Sequence, residues 1–132
     1  TTLTKLSNSG VIGSGLVEAI VAQSIGTLDN SGLILGQTDA IQTPGHIAFL
    51  TNTGNITGMG KDGINANSIN SLTNTGTSGG LLTQGLIAGQ ENGIFVGSDI
   101  GLLDNSGTIL GNAQAGVYAT FSIDHVKNSG LI

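Results

Sequence analysis

The chain has 132 residues, enough for one domain, and eight acidic side chains against three lysines and no arginine give it a net charge of −5. Lys5, Lys61 and Lys127 are too few and too scattered to form the basic stripe that a nucleic-acid partner requires, and without cysteine the chain builds neither a disulfide framework nor a thiolate metal site. Only 8% of residues are charged and 3% aromatic, but regularly spaced Ile, Leu and Val separate the sequence from disordered polar tracts.

The N-terminal stretch "TTLTKLSNSGVI" lacks the charged start, apolar run and small-residue cleavage site of a signal peptide. It already contains a complete turn unit, with Leu3 and Leu6 before Asn8-Ser9-Gly10 and Ile12 after it. The next segment, "LVEAIVAQSI" at 16–25, is the longest apolar stretch, and Glu18 and Gln23 interrupt it far short of the roughly 18 residues of a membrane span. Its periodicity alone also allows about two and a half helical turns, but its β-branched content and flanking glycines favour strand.

The unit then recurs along the chain. "LDNSGLILG" occupies 28–36, "LTNTGNITG" follows at 50–58, "LTNTG" begins at 72, "LDNSGTILG" spans 103–111, and "VKNSGLI" closes the chain. The motif asparagines Asn8, Asn30, Asn52, Asn74, Asn105 and Asn128 are separated by 22, 22, 22, 31 and 23 residues. A fixed period of this size marks a repeat architecture, each unit burying its apolar face by stacking on its neighbours. The consensus is apolar-x-x-Leu-x-Asn-[Ser/Thr]-Gly-x-Ile-x-Gly. Its apolar positions are spaced in twos and threes between turn residues, as in short strands.

These features predict an all-β chain: a right-handed parallel β-helix (β-solenoid) with about 22 residues per coil and five to six coils, occupying residues 1–132 as one segment of a longer array. At about 4.8 Å per coil the rod is roughly 25–30 Å long. Ile25, Ile47, Ile69, Ile100 and Ile123 are expected to form one interior file, and Leu6, Leu28, Leu50, Leu72 or Leu81, Leu103 and Val126 another. Asn-x-Gly is expected to set the corner because Asn hydrogen-bonds locally and tolerates a left-handed backbone, while Gly accepts positive φ. Asn8, Asn30, Asn52, Asn105 and Asn128 are expected to stack into a structural side-chain ladder, which also admits a reading as a row of ligand-binding amides. The long interval closes when "GLIAGQ" at 85–90 is laid on "GLILGQ" at 32–37. Gly85 then takes the corner, Leu81 the Leu position and Thr83 the Asn position, which implies an insertion at about 72–80. Insertions in solenoids loop out from one face, often the binding face, making Thr75, Thr77 and Ser78 candidate binding residues.

The units "LSNSGVIGSG", "LDNSGLILG", "LTNTGNITG" and "LDNSGTILG" resemble the passenger repeats of bacterial autotransporter adhesins (type V secretion), and the resemblance covers nearly the whole chain. It implies a Gram-negative protein displayed at the outer membrane or secreted, whose complete chain carries a signal peptide and a C-terminal outer-membrane β-barrel outside these residues. The implied function is non-catalytic: adhesion or self-association in biofilm or host attachment, or a rigid stalk. The implied partner is a host-surface glycan or protein, or another copy of the passenger, with no cofactor and no membrane insertion by this segment.

The alternative is part of a carbohydrate-processing β-helix enzyme, whose active site is expected outside these residues. Such chemistry needs clustered carboxylates, a metal, or a base beside a cation, whereas His46 and His125 fall at different offsets in their repeats. The segment "TGMGKDGIN" at 57–65 matches the calcium-binding nonapeptide except at its first residue, but no tandem copy completes an oxygen shell. Glu18, Asp39, Asp62 and Glu91 fall six to eight residues after the corner glycines. They form a candidate acidic edge, either a cation-collecting column or a solvated turn whose small offsets spread like charges apart. Thr51/Thr53 and Thr73/Thr75 fit an ice-binding Thr-x-Thr face, which the remaining repeats do not continue. Unpaired edges at Leu3–Leu6 and Val126–Ile132 are expected to invite end-to-end stacking.

Overall fold

The computed structural model describes residues 1–76 and 84–132. The first coil carries β1 (Thr2–Asn8), β2 (Val11–Gly13) and β3 (Ile20–Val21), and the second continues through β4 (Ser24–Asn30), β5 (Leu33–Gly36) and the start of β6 (Ile41–Asn52). β6 finishes in the third coil, followed by β7 (Asn55–Gly58) and the start of β8 (Ile64–Asn74). The fourth coil adds β9 (Leu86–Gly89) and β10 (Ile94–Val96), the fifth β11 (Ile100–Asn105), β12 (Thr108–Gly111) and β13 (Val117–Ala119), and β14 (Ile123–Asn128) opens a sixth. No helix forms over 16–25, where β3 and the start of β4 lie instead.

All strand pairing is parallel and runs from each coil to the next, making an all-β parallel β-solenoid. One side stacks β2, β5, β7, β9 and β12. The other two sides belong to one sheet, because β6 and β8 each run around a corner. β6 turns that corner with a register irregularity between Thr43 and His46, where Pro44 and Gly45 lie. Proline has no N–H to give to a ladder, so it fits at such a break.

Register places like on like. Leu3, Ile25, Ile47, Ile69, Ile100 and Ile123 form one inward file, and Leu6, Leu28, Leu50, Leu72, Leu103 and Val126 a second. A third runs through Ile12, Ile34, Ile56, Ile87 and Ile109, and a fourth through Ile20, Ile41, Ile64, Ile94 and Val117. In the middle coils these side chains are completely buried, and each fully buried Ile or Leu contributes about 1.5–3 kcal/mol of transfer free energy. Alternation along each strand sends the intervening residues outward, as the pattern of Leu33, Ile34, Leu35 and Gly36 shows.

The structure places the extra length after the fourth corner asparagine instead of before it. Leu72 and Asn74 pair with Leu50 and Asn52 below and with Leu103 and Asn105 above, so they hold the Leu and Asn positions. Gly85 takes the corner, donating its N–H to the carbonyls of Thr53 and Gly54. The additional residues therefore lie between Asn74 and Gly85 rather than at 72–80. Leu81 and Thr83 fall outside the described residues.

The corner glycines also have a different cause from the one expected. Among the described residues only Gly85 has a positive φ, 70°, and no asparagine is left-handed. What excludes a side chain at the later corners is the preceding coil: a Cβ on Gly54 would collide with the Gly32 carbonyl oxygen. At the far end of the same sheet, a Cβ on Gly58 would strike the Asp62 carbonyl across its own turn. Close backbone approach, not backbone handedness, accounts for these two repeated glycine positions.

A fifth inward file is narrower: Ala22, Thr43, Ala66, Val96 and Ala119. The Thr43 hydroxyl is buried there and has no hydrogen-bond partner, which costs free energy relative to a methyl group of the same shape. Thr43→Val is expected to raise stability by about 1 kcal/mol, read as a higher urea midpoint at unchanged m-value.

Candidate functional site

Three surfaces of the coil carry polar or reactive side chains: the asparagine corner, the turn leading into β3, β6, β8, β10 and β13, and the outer face of those strands. At the corner each asparagine ends a strand with its side chain turned inward. Asn8 Nδ2 donates to Asn30 Oδ1, Asn30 to Asn52, Asn52 to Asn74, Asn74 to Asn105 and Asn105 to Asn128, every bond 2.8 Å long. The ladder therefore includes Asn74 along with the five asparagines expected in it. Each amide also ties the corner locally: Asn52 Nδ2 lies 3.1 Å from the carbonyl oxygens of Gly54 and Leu86. With both amide atoms engaged and Asn52, Asn74 and Asn105 buried, the middle of the column presents no free amide to a ligand.

Just outside this column, Ser7, Ser9, Asp29, Ser31, Thr51 and Thr53 line a shallow groove of about 180 Å³. Thr75 continues it as an exposed residue, while Thr77 and Ser78 lie outside the described residues. Asp29 and Asp104 in the outer file meet lysines of adjacent coils, with Lys5 at 3.8 Å and Lys127 at 3.4 Å. Exposed pairs of this kind contribute little to stability.

The candidate acidic edge resolves into something different from a solvated turn. Glu18, Asp39, Asp62, Asn92 and Ala115 each stand two residues before the paired file of Ile20, Ile41, Ile64, Ile94 and Val117. Glu91 is one residue out of that column, and Asn92 takes the place. Asp39 and Asp62 are only 1% and 4% exposed. Asp39 Oδ1 accepts the Asp62 N–H at 2.8 Å, Asp62 Oδ1 accepts the Asn92 N–H at 3.0 Å, and Asn92 Oδ1 accepts the Ala115 N–H at 3.2 Å. Asn65 Nδ2 and Asn92 Nδ2 add side-chain bonds to Asp39 and Asp62, respectively. From Asp39 to Ala115 the column pins each turn to the next through backbone amides. Position in the repeat found Asp39 and Asp62 but missed Asn92, which lies as far beyond Gly85 as Asp39 lies beyond Gly32, because an acidic pattern passes over a neutral amide and takes the neighbouring Glu91.

Burial pushes the Asp39 carboxyl above its ordinary value of 3.8; the Asp62 backbone N–H opposes the shift, while the neighbouring Asp62 charge adds to it. Asp99, by contrast, is held below the ordinary carboxylate range by the Ser98 and Ser122 hydroxyls, at 2.8 and 2.9 Å. The calcium-like segment 57–65 contributes Asp62 to the inter-coil bonds just described. His46 pairs in register with Ser68 and His125 with Leu102, which puts the histidines in different outward files. Among the described residues no group of three or more His, Asp and Glu side chains converges as a metal site. No described helix is long and apolar enough to cross a membrane.

The third surface was not singled out by sequence. Phe95 and Tyr118 occupy paired outward positions on β10 and β13 and stack with ring centroids 5.5 Å apart and planes 2° from parallel. Asn65 and Gln42 precede them in the same file. The two rings are 23 positions apart, one coil, but stand outside the recurring motif, and the register is what shows them paired on the outer face.

The fold defines the molecule as a repeat protein of the parallel β-solenoid class, a scaffold compatible with a structural or adhesive role and with an enzyme. Compared with family models, curated proteins and solved structures, the chain matches none at a significant level.

Asn52→Ala removes the acceptor for Asn30 and leaves Asn74 Oδ1 and the Leu86 carbonyl short of a donor, so it is expected to cost about 2–5 kcal/mol in chemical unfolding. Asn128→Ala, at the exposed end, is expected to cost under about 1 kcal/mol. For Asp39 the raised folded-state pKa means that the folded protein holds the proton more tightly than the unfolded chain. Its contribution is fully present below 3.8 and is lost as pH rises through the higher folded value. Asp39→Asn keeps an oxygen for the Asp62 N–H and is expected to exceed the parent in stability at pH 7. That advantage should shrink on acidification and vanish below 3.8, as read from melting temperatures across pH.

Proposed function

We propose that the chain is a non-catalytic segment of a surface-displayed or secreted Gram-negative autotransporter passenger, acting in adhesion or self-association. The observation that carries this reading is the like-on-like register of the Ile, Leu and Asn files from coil to coil, which gives a rod with one core, one amide ladder and flanks that repeat at the strand spacing. Repeated Leu-x-Asn-[Ser/Thr]-Gly-x-Ile units of the autotransporter type supply the same register. A rod whose interior is filled by Ile and Leu has only its outer files with which to act.

In this reading the partner is a host-surface glycan or protein, or another copy of the passenger, met outside the outer membrane. Nucleic acid is not a partner, and the segment does not enter the bilayer. The polar flank suits contacts made of many weak bonds repeated along the axis.

The test is to express the surface-displayed parent with residues 1–132 intact or replaced by an equal length of unrelated β-solenoid. Antibody labelling of intact cells is expected to be equal for the two, while cell–cell aggregation or attachment to host matrix falls severalfold in the replacement. Unchanged adhesion assigns the segment to a spacing role instead, and a chain that stays inaccessible on intact cells overturns the display reading.

A further inference from the structure

All four aromatic side chains of this protein lie outside its core. Phe49, Tyr118 and Phe121 are 60%, 48% and 77% exposed, and Phe95 is half-buried. Single exposed apolar residues are ordinary. Phe95 and Tyr118 are not single: they stack face to face in register as one apolar pair on an otherwise polar face, which leaves the face of Phe95 turned away from Tyr118 directed back down the file. Going back down the file, the stack ends at Phe95, because the next two positions carry the amides Asn65 and Gln42 instead of rings.

Two depressions meet at that step, and both are lined by Asn65 and Phe95. One, of about 340 Å³, lies against Gln42, Pro44 and Asn67. The other, of about 360 Å³, lies against Lys61, Glu91 and Gln114. An aromatic ring is thus bracketed by planar amides and a carboxylate in a molecule that has very few of either an aromatic or a charge to place.

We propose that this face binds a neutral pyranose glycan, an assignment that rests on the adhesive reading and gives that reading a site. A pyranose offers an apolar face of C–H groups surrounded by a rim of hydroxyls. The free ring face of Phe95, backed by Tyr118, suits the apolar face, while Gln42, Asn65, Asn67 and Gln114 each supply a donor and an acceptor for the rim. A mainly apolar surface with a few directed polar groups is the usual composition of a ligand site. Charge selects the class: Asp62 and Glu91 outweigh Lys61 here, and the whole chain carries −5, so sulfated and uronic-acid chains are repelled. From Phe95 back to Val21 the file covers three strand steps, about 14 Å, enough for two or three sugar rings.

Tyr118 is the only tyrosine and tryptophan is absent, so intrinsic emission reports on the stacked pair through the ring that backs Phe95. The protein is titrated with cellotetraose, lacto-N-neotetraose and a heparin tetrasaccharide, following Tyr118 emission and saturation transfer to the sugar C–H protons. At least one neutral tetrasaccharide is expected to change the emission and receive saturation on its ring protons, and the heparin fragment to do neither. Saturation transfer measures affinity in the variants: Phe95→Leu and Tyr118→Leu, which keep apolar bulk in an outward file, are expected to bind about tenfold more weakly. Phe49→Leu, on a different file, is expected to bind as the parent does.

Melting temperatures close to the parent's establish that the leucine variants are folded, and Gln42→Ala and Asn67→Ala serve as a second pair outside the core if they are not. The proposal is overturned by no binding of either neutral sugar, by preference for heparin, or by binding that survives these substitutions. If displayed cells lose adhesion on segment replacement but the protein binds no sugar, the glycan assignment falls and the adhesive reading stands. If sugar binds and replacement leaves adhesion intact, the reverse holds.

Discussion

Each strand of one coil hydrogen-bonds in parallel to its counterpart in the next, so every side chain sits about 4.8 Å from an equivalent one and must be compatible with it. The rest of the molecule is arranged around that constraint. Apolar side chains satisfy it simply, and four inward files of Ile and Leu fill the rod. Polar side chains satisfy it only if each can serve the residue above and the residue below. Asparagine can, because its amide has a donor at one atom and an acceptor at the other. The ladder from Asn8 to Asn128 accordingly runs through every coil and points all its donors the same way along the axis.

A carboxylate cannot propagate such a ladder, since it only accepts. The second polar column shows how the chain accommodates this: Asp39 and Asp62 accept backbone N–H groups of the following coil, not each other's side chains. The cost appears in the Asp39 carboxyl, whose burial beside a second acidic group disfavours its charged form. One coil later Asn92 performs the same bond without a charge, and at Ala115 the side chain ends altogether. The column is thus structural, which moves the functional question to the outward files. There the parallel constraint acts again, bringing Phe95 and Tyr118 face to face from distant parts of the sequence.

The repeat, its period and most of its core were legible in the sequence because an apolar residue in a coil of short strands has one place to go. The Leu and Ile files, the parallel stacking and the corner role of Gly85 follow from spacing alone. Where the extra residues enter did not follow, since "LTNTG" and "GLIAG" each match half of one unit, and spacing cannot tell which half of the interval is surplus. Pairing of Leu72 and Asn74 on both sides decides it. Asp39 and Asp62 were found by offset, but neither a cation-collecting column nor a solvated turn anticipated their burial, because an offset from a glycine does not say whether a turn closes inward or outward.

Sequence by itself therefore determined the architecture, since periodic burial and a donor–acceptor amide at each corner leave the chain few ways to satisfy both. Tertiary structure alone decided the exact register of the fourth coil, the burial of Asp39 and Asp62, and the pairing of Phe95 with Tyr118. Those depend on which residues two different coils bring within a few ångströms, a relation set by the length of every intervening turn and carried by no local pattern.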